Sequence, residues 1–178
     1  MNEPFSRARR IVVAGISLAL SAWLLRSPVA QALVSRGDDY LYAGNRYQAL
    51  VHYRRSFALD PDSEIAADRI VFVAALQRSR AEIASGIAAA TRYLQRHPRS
   101  AELLADRGLC YLKLRAFDAA YLDFYGAAAL QRKPQAYTFA GWAALRSGHP
   151  ALAKHMWQNA LHVSHDYRPA LSALERYR

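Results

Sequence analysis

Three columns of residues recur along this chain at shared intervals. Glycine returns at Gly37, Gly108 and Gly141, alanine at Ala49, Ala120 and Ala153, and a large ring at Tyr53, Phe124 and Trp157. Each column steps by 71 residues (108 − 37) and then by 33 (141 − 108). An interval of 71 is two units of about 34 residues with a short insertion. A further unit therefore belongs at about 67–100. There Gly86 and Ala90 occupy the small and ring columns, and Tyr93 and Pro98 close the unit. A chain built this way is a run of like units, none able to bury its apolar face alone, so neighbours must stack. Alternating apolar and polar runs are absent, which argues against strands.

Each column has a packing reason. The column glycines let two helices approach closely, the alanines leave a hole, and the rings fill it and close the gap to the next pair. Gly44 and Gly148 suit the left-handed residue that ends a helix, and Arg115 stands where the third unit would have its turn glycine. Pro61, Pro98 and Pro134 punctuate helix exits. The pattern predicts first helices near 30–43, 64–78, 101–113 and 135–146. Second helices are expected near 46–58, 81–95, 117–130 and 150–163. A last helix near 168–177 carries Leu171, Leu174 and Tyr177 on one edge.

With Leu33, Tyr40, Leu104, Tyr111, Phe117, Ala127, Tyr137 and Ala160 in further matching slots, the stretch from about 30 to 165 resembles the tetratricopeptide repeat family. The resemblance implies an all-α solenoid of about four helix–turn–helix units, at about 30–63, 67–100, 101–133 and 134–167, capped by a helix at 168–178. It also implies a hollow side, lined by first helices, that takes a peptide or helix of a protein partner. The expected lining is Val34, Asp38, Leu41, Tyr42, Val71, Arg78, Leu109, Leu112, Lys113, Thr138, Trp142, Leu145 and Arg146. Chaperone-binding members hold an acidic tail in a clamp of lysine and asparagine. The matching slots here hold Val34 and Asp38, so that clamp is not built. The apolar members suit an apolar peptide face, with Arg78, Lys113 and Arg146 left to meet its acids. The competing reading packs several of these side chains between units, Leu109 and Leu112 first.

Ahead of the repeat, Arg7, Arg9 and Arg10 precede an uncharged run, 11–25, closed by Arg26. That order reads as a signal anchor over 1–28. Fifteen helical residues reach about 22 Å against a hydrocarbon layer of about 30 Å, and flanking arginines extend the reach by snorkelling. The alternatives are a cleaved signal, with its small-residue site at Ala30–Gln31–Ala32, and a buried N-terminal helix. Helical patterning resumes directly after Pro28, which favours the retained anchor. The flanking charge puts the N-terminus in the cytoplasm, so the repeat domain is expected outside the inner membrane as the periplasmic part of a single-pass protein.

Composition narrows the remaining chemistry. With 53% apolar and 21% charged residues the chain is no disordered tail. One cysteine, Cys110, rules out an internal disulfide, and its place between Leu109 and Tyr111 reads as a small buried apolar group. The net charge of +10 admits anionic lipid, or less readily nucleic acid, as an alternative ligand. Its basic residues are scattered rather than massed, and no nucleic-acid module is recognisable. His155, His162 and His165 offer a second alternative, a metal-handling factor. No nucleophile elbow, phosphate loop or paired catalytic carboxylates occur. The chain is therefore expected to be no enzyme, with no catalytic or metal residue and no cofactor. The sequence sets no oligomeric state. Small anchored repeat proteins of bacteria suggest a role as an assembly or maturation factor for an envelope complex or an exported enzyme, redox enzymes included.

Overall fold

A computed structural model describes residues 25–177. The expected anchor at 1–28 lies outside the described residues except for 25–28. Those four already belong to a helix, α1, that runs through Pro28 to residue 42. The first helix therefore extends further toward the N-terminus than the repeat pattern indicates. Among the described residues no helix is long and apolar enough to cross a membrane, and none forms a strand.

After α1 come α2 (Arg46–Leu59), α3 (Glu64–Leu76), α4 (Arg80–Leu94), α5 (Ala101–Lys113), α6 (Phe117–Gln131), α7 (Pro134–Arg146), α8 (Pro150–Val163) and α9 (Arg168–Arg176). Their starts follow from capping chemistry. Asn45 Oδ1 accepts the Gln48 N–H at 3.1 Å ahead of α2, and Ser100 Oγ accepts the Leu103 N–H at 3.3 Å ahead of α5. Proline stands in the first turn of α7, α8 and α9, where its missing N–H costs nothing. Pro134 thus opens α7 rather than closing α6, which ends on the left-handed Arg132.

The chain divides into two compact units at Ser63/Glu64. In the first, α1 and α2 form one pair. The Tyr53 hydroxyl donates to Asp38 Oδ1 at 2.7 Å, and the Ser56 hydroxyl to the Ala30 carbonyl at 2.8 Å. In the second unit α3/α4, α5/α6 and α7/α8 form successive pairs, and α9 packs on α8.

The glycine column behaves as its spacing requires. A Cβ on Gly37 would sit 2.4 Å from the Tyr53 ring, on Gly108 3.0 Å from Phe124, and on Gly141 2.3 Å from Trp157. Each ring therefore lies over the glycine of its own pair. The gap to the next pair is closed by further aromatics. Phe124 stacks on Phe139 of α7 at 5.2 Å between centroids. The α3/α4 pair solves the same problem with small residues on both sides. Gly86 faces Ala74, whose Cβ lies 2.4 Å from where a glycine side chain would begin, and Ala90 fills the ring column, fully buried. That explains why this unit looks degenerate in sequence.

Three hairpin turns share one geometry. Residues 44, 115 and 148 have φ of +80°, +63° and +90°. The next N–H reaches back five residues, Asn45 to Tyr40 at 2.8 Å, Ala116 to Tyr111 at 2.9 Å and His149 to Ala144 at 2.9 Å. Glycine takes this conformation freely at 44 and 148, whereas Arg115 crowds its Cβ against a carbonyl. Arg115→Gly is expected to stabilise the chain by about 0.5–1 kcal/mol. Thermal unfolding checks it: an unchanged or lower midpoint contradicts the strain.

Candidate functional site

The second unit carries a cleft between its first helices. The register of α5 exposes Glu102, half-buries Ala105 and Asp106, and leaves Leu109 36% exposed. The same columns on α7 are Gln135 and Phe139, the latter 41% exposed. Between them lies a cleft of about 260 Å³, floored by Phe124 and Ala127 of α6 and reached by Asp68 of α3. Phe124 is held rigid because it sits over Gly108 and stacks on Phe139. Further along the same strip, Leu112, Arg115, Phe117, Trp142 and Arg146 enclose a second hollow of about 290 Å³.

The expected lining divides under this geometry. Val34, Val71 and Thr138 are core residues, at 8%, 0% and 5% exposure. Thr138 lies one helical step, about 100°, from the open Phe139. The Thr138 hydroxyl is turned onto the Pro134 carbonyl at 2.9 Å. Asp38 is half-buried and engaged by Tyr53, Leu41 is half-buried, and Tyr42 is almost wholly exposed on the first unit. Arg78 is exposed just beyond the end of α3. Lys113 is directed onto the closing carbonyls of α3, Ala75 and Gln77, the second at 3.0 Å, and so caps that helix. Leu145 is half-buried, packed with Trp157 and its neighbours. Leu109, Leu112, Trp142 and Arg146 do come together on the open strip.

Residues that the sequence reading did not assign to the groove complete the site. Phe139 is the column partner of Asp106, one repeat of 33 residues on, so the repeat itself held that signal. The Asp68–Asp106 pair had none, because the two lie on different helices. Both carboxyls face the same cleft. Burial, Asp68 and Glu102 together push the Asp106 carboxyl up to about 7, from an ordinary value near 3.8. A carboxyl raised on folding stabilises fully below about pH 4, and that contribution is lost as pH rises through about 7. Asp106→Asn should therefore flatten the pH dependence. It should raise stability at pH 8 by about 1–2 kcal/mol, a figure reduced for the solvent that still reaches the group. Urea unfolding at pH 5 and pH 8 tests this, and equal slopes in both proteins would refute it.

Other reactive groups are quiet. Cys110 is fully buried with its thiol pushed up to about 11, mainly by desolvation, so it is an apolar packing group. His155, His162 and His165 are exposed. Among the described residues no three His, Cys, Asp or Glu side chains converge to hold a metal.

No protein-family model matches the sequence, and no curated protein matches it. Solved structures do. The pilF protein of Pseudomonas aeruginosa aligns over 85% of this chain and 68% of its own, at 21% identity and a TM-score of 0.67. A tetratricopeptide repeat protein from Parabacteroides merdae aligns over 85% and 60%, at 16% identity and 0.69. MamA from Desulfovibrio magneticus aligns over 78% and 77%, at 14% identity and 0.66. The fold is that of tetratricopeptide repeat proteins. At these identities the likeness extends to the fold and no further.

Proposed function

We propose that this chain is a protein-interaction scaffold that docks a peptide or helix of a partner on the strip between α5 and α7. The observation that carries this reading is the open apolar cleft there, with Leu109 and Phe139 partly exposed over a fixed Phe124 floor. Partly exposed rings on a rigid base gain much on burial and lose little entropy, which suits docking. The fold supports the same reading, because stacked helix pairs present extended surfaces for partners.

In this proposal residues 1–28 hold the scaffold in the inner membrane with the repeat domain on the periplasmic side. It keeps a partner near the membrane during assembly of an envelope complex or maturation of an exported enzyme. The basic flank and uncharged run at 11–25 support that placement. A photoreactive benzoylphenylalanine at Phe139, introduced in intact membranes, is expected to give a discrete protein adduct. The same group at Leu122, 66% exposed on α6, is expected to give none. Equal labelling from both positions overturns the docking surface. Full extraction of the chain from membranes by carbonate overturns the anchor alone.

A further inference from the structure

The docking strip carries opposite charge at its two ends. At one end the 260 Å³ cleft holds three carboxylates, Asp68, Glu102 and Asp106, against one cation, Lys133. At the other, Arg115 and Arg146 converge on the Phe117 ring, with their guanidinium carbons 6.0 Å and 5.2 Å from its centroid. Leu109 and Leu112 on α5, and Phe139 and Trp142 on α7, lie one turn apart and join the ends by an apolar stretch. From Phe139 to Arg146 is seven residues, about 10 Å along the helix axis.

Helix dipoles account for part of this order. Glu102 in the first turn of α5 and Arg146 in the last turn of α7 both suit their helix ends. Asp106 lies a turn further in, where the dipole offers little, and Arg115 lies beyond α5 altogether. Lys133 approaches Glu102 at 3.6 Å, and Arg69 approaches Asp68 at 3.3 Å. Neither offsets Asp106, on which every influence favours the protonated form. Like charges gathered at each end repel, and opposite charges on an occupant would relieve that repulsion.

We propose that the strip takes a polypeptide segment with a fixed order of charge: a lysine or arginine at the Asp68–Asp106 end, an aspartate or glutamate at the Arg115–Arg146 end, and apolar residues between. The spacing of about 10 Å corresponds to seven residues of a partner helix or three of an extended chain. This inference rests on the docking reading above and adds the chemistry and direction of the occupant. The overall charge of +10 does not cancel the acidic end, because at physiological salt fields from exposed charges fade beyond about 8 Å.

The test is selection of random 12-residue phage-displayed peptides on the purified full chain at 0.15 M salt. The wild type is compared with D68N/D106N, R115G/R146Q and F139A, each first checked for unchanged helicity. If a double variant loses helicity, D106N or R146Q alone replaces it. The wild type should enrich, at least tenfold, a basic and an acidic residue three or seven positions apart. D68N/D106N should lose only the basic preference, and R115G/R146Q only the acidic one. F139A should lower recovery of the whole pool. A pool without the paired charges, or a preference that survives its matching variant, overturns the charge order while the docking surface stands. An acidic pool indifferent to every variant reports the net charge alone and also overturns it. Recovery unaffected by F139A overturns the docking surface itself.

Discussion

Trp157→Ala is expected to lower the free energy of unfolding by about 3–5 kcal/mol. Trp157 is 1% exposed and is the largest fully buried side chain among the described residues. Its ring lies over Gly141, and its Nε1–H donates to the Thr138 carbonyl at 3.3 Å. Trp142 meets it edge-on at 5.1 Å, and Tyr177 lies 5.7 Å away. Around it the buried neighbours are alanines, Ala153, Ala160, Ala170 and Ala173. Alanines have no side-chain length with which to collapse into a vacated space, so filling it would take rings and leucines from the rim, Trp142, Leu145 and Leu174 among them, out of their own packing. The damage should begin locally, with α7, α8 and α9 losing amide protection before α5 and α6. Urea unfolding followed by circular dichroism measures the total, and hydrogen exchange its location. A loss below about 1 kcal/mol would mean that the ring column does not hold the pairs together.

Asp123→Ala is expected to cost about 3–5 kcal/mol, although it removes only a small side chain. Asp123 on α6 is buried and accepts a two-pronged contact from Arg107 on α5, Nε at 2.8 Å and Nη2 at 2.6 Å. Arg107 Nη1 donates in turn to Thr91 Oγ1 of α4 at 3.0 Å, so one guanidinium ties three helices. Burial lifts the Asp123 carboxyl above its ordinary value even with the cation beside it. In Asp123→Ala the half-buried guanidinium keeps Thr91 but loses its counter-charge, and that uncompensated charge is the main cost. Arg107→Met in the same chain should recover most of the loss, because an apolar pair of similar bulk needs no counter-charge. A double-mutant cycle by urea unfolding decides the matter. If the double variant is as unstable as Asp123→Ala, the cost lies in lost packing instead.

These two sites differ in how far they could be read in advance. Trp157 sits in a column repeated by Tyr53 and Phe124, so its role follows from spacing alone. Arg107 and Asp123 are 16 residues apart, and although Arg36 precedes Gly37 as Arg107 precedes Gly108, the column of Asp123 holds His52 and Met156, so the pair itself does not repeat. Only the way α5 lies on α6 brings them within bonding distance. The docking strip is an intermediate case. Leu109, Leu112, Trp142 and Arg146 follow from helical register, while Thr138 differs from the open Phe139 by a single 100° step and Val71 is turned into the core of its own unit. A pattern of apolar residues marks a helix face but does not say which edge of that face the next helix covers.

The chain's helices, its capping residues and its small-against-large pairing were determined by the sequence itself, because each is written either in adjacent residues or in a spacing that repeats from unit to unit. The pairing of Asp68 with Asp106, the bridge from Arg107 to Asp123 and the charge order of the strip were decided only by the tertiary structure. Those features depend on where separate helices come to rest, and that is set by the summed packing of many side chains rather than by any local signal.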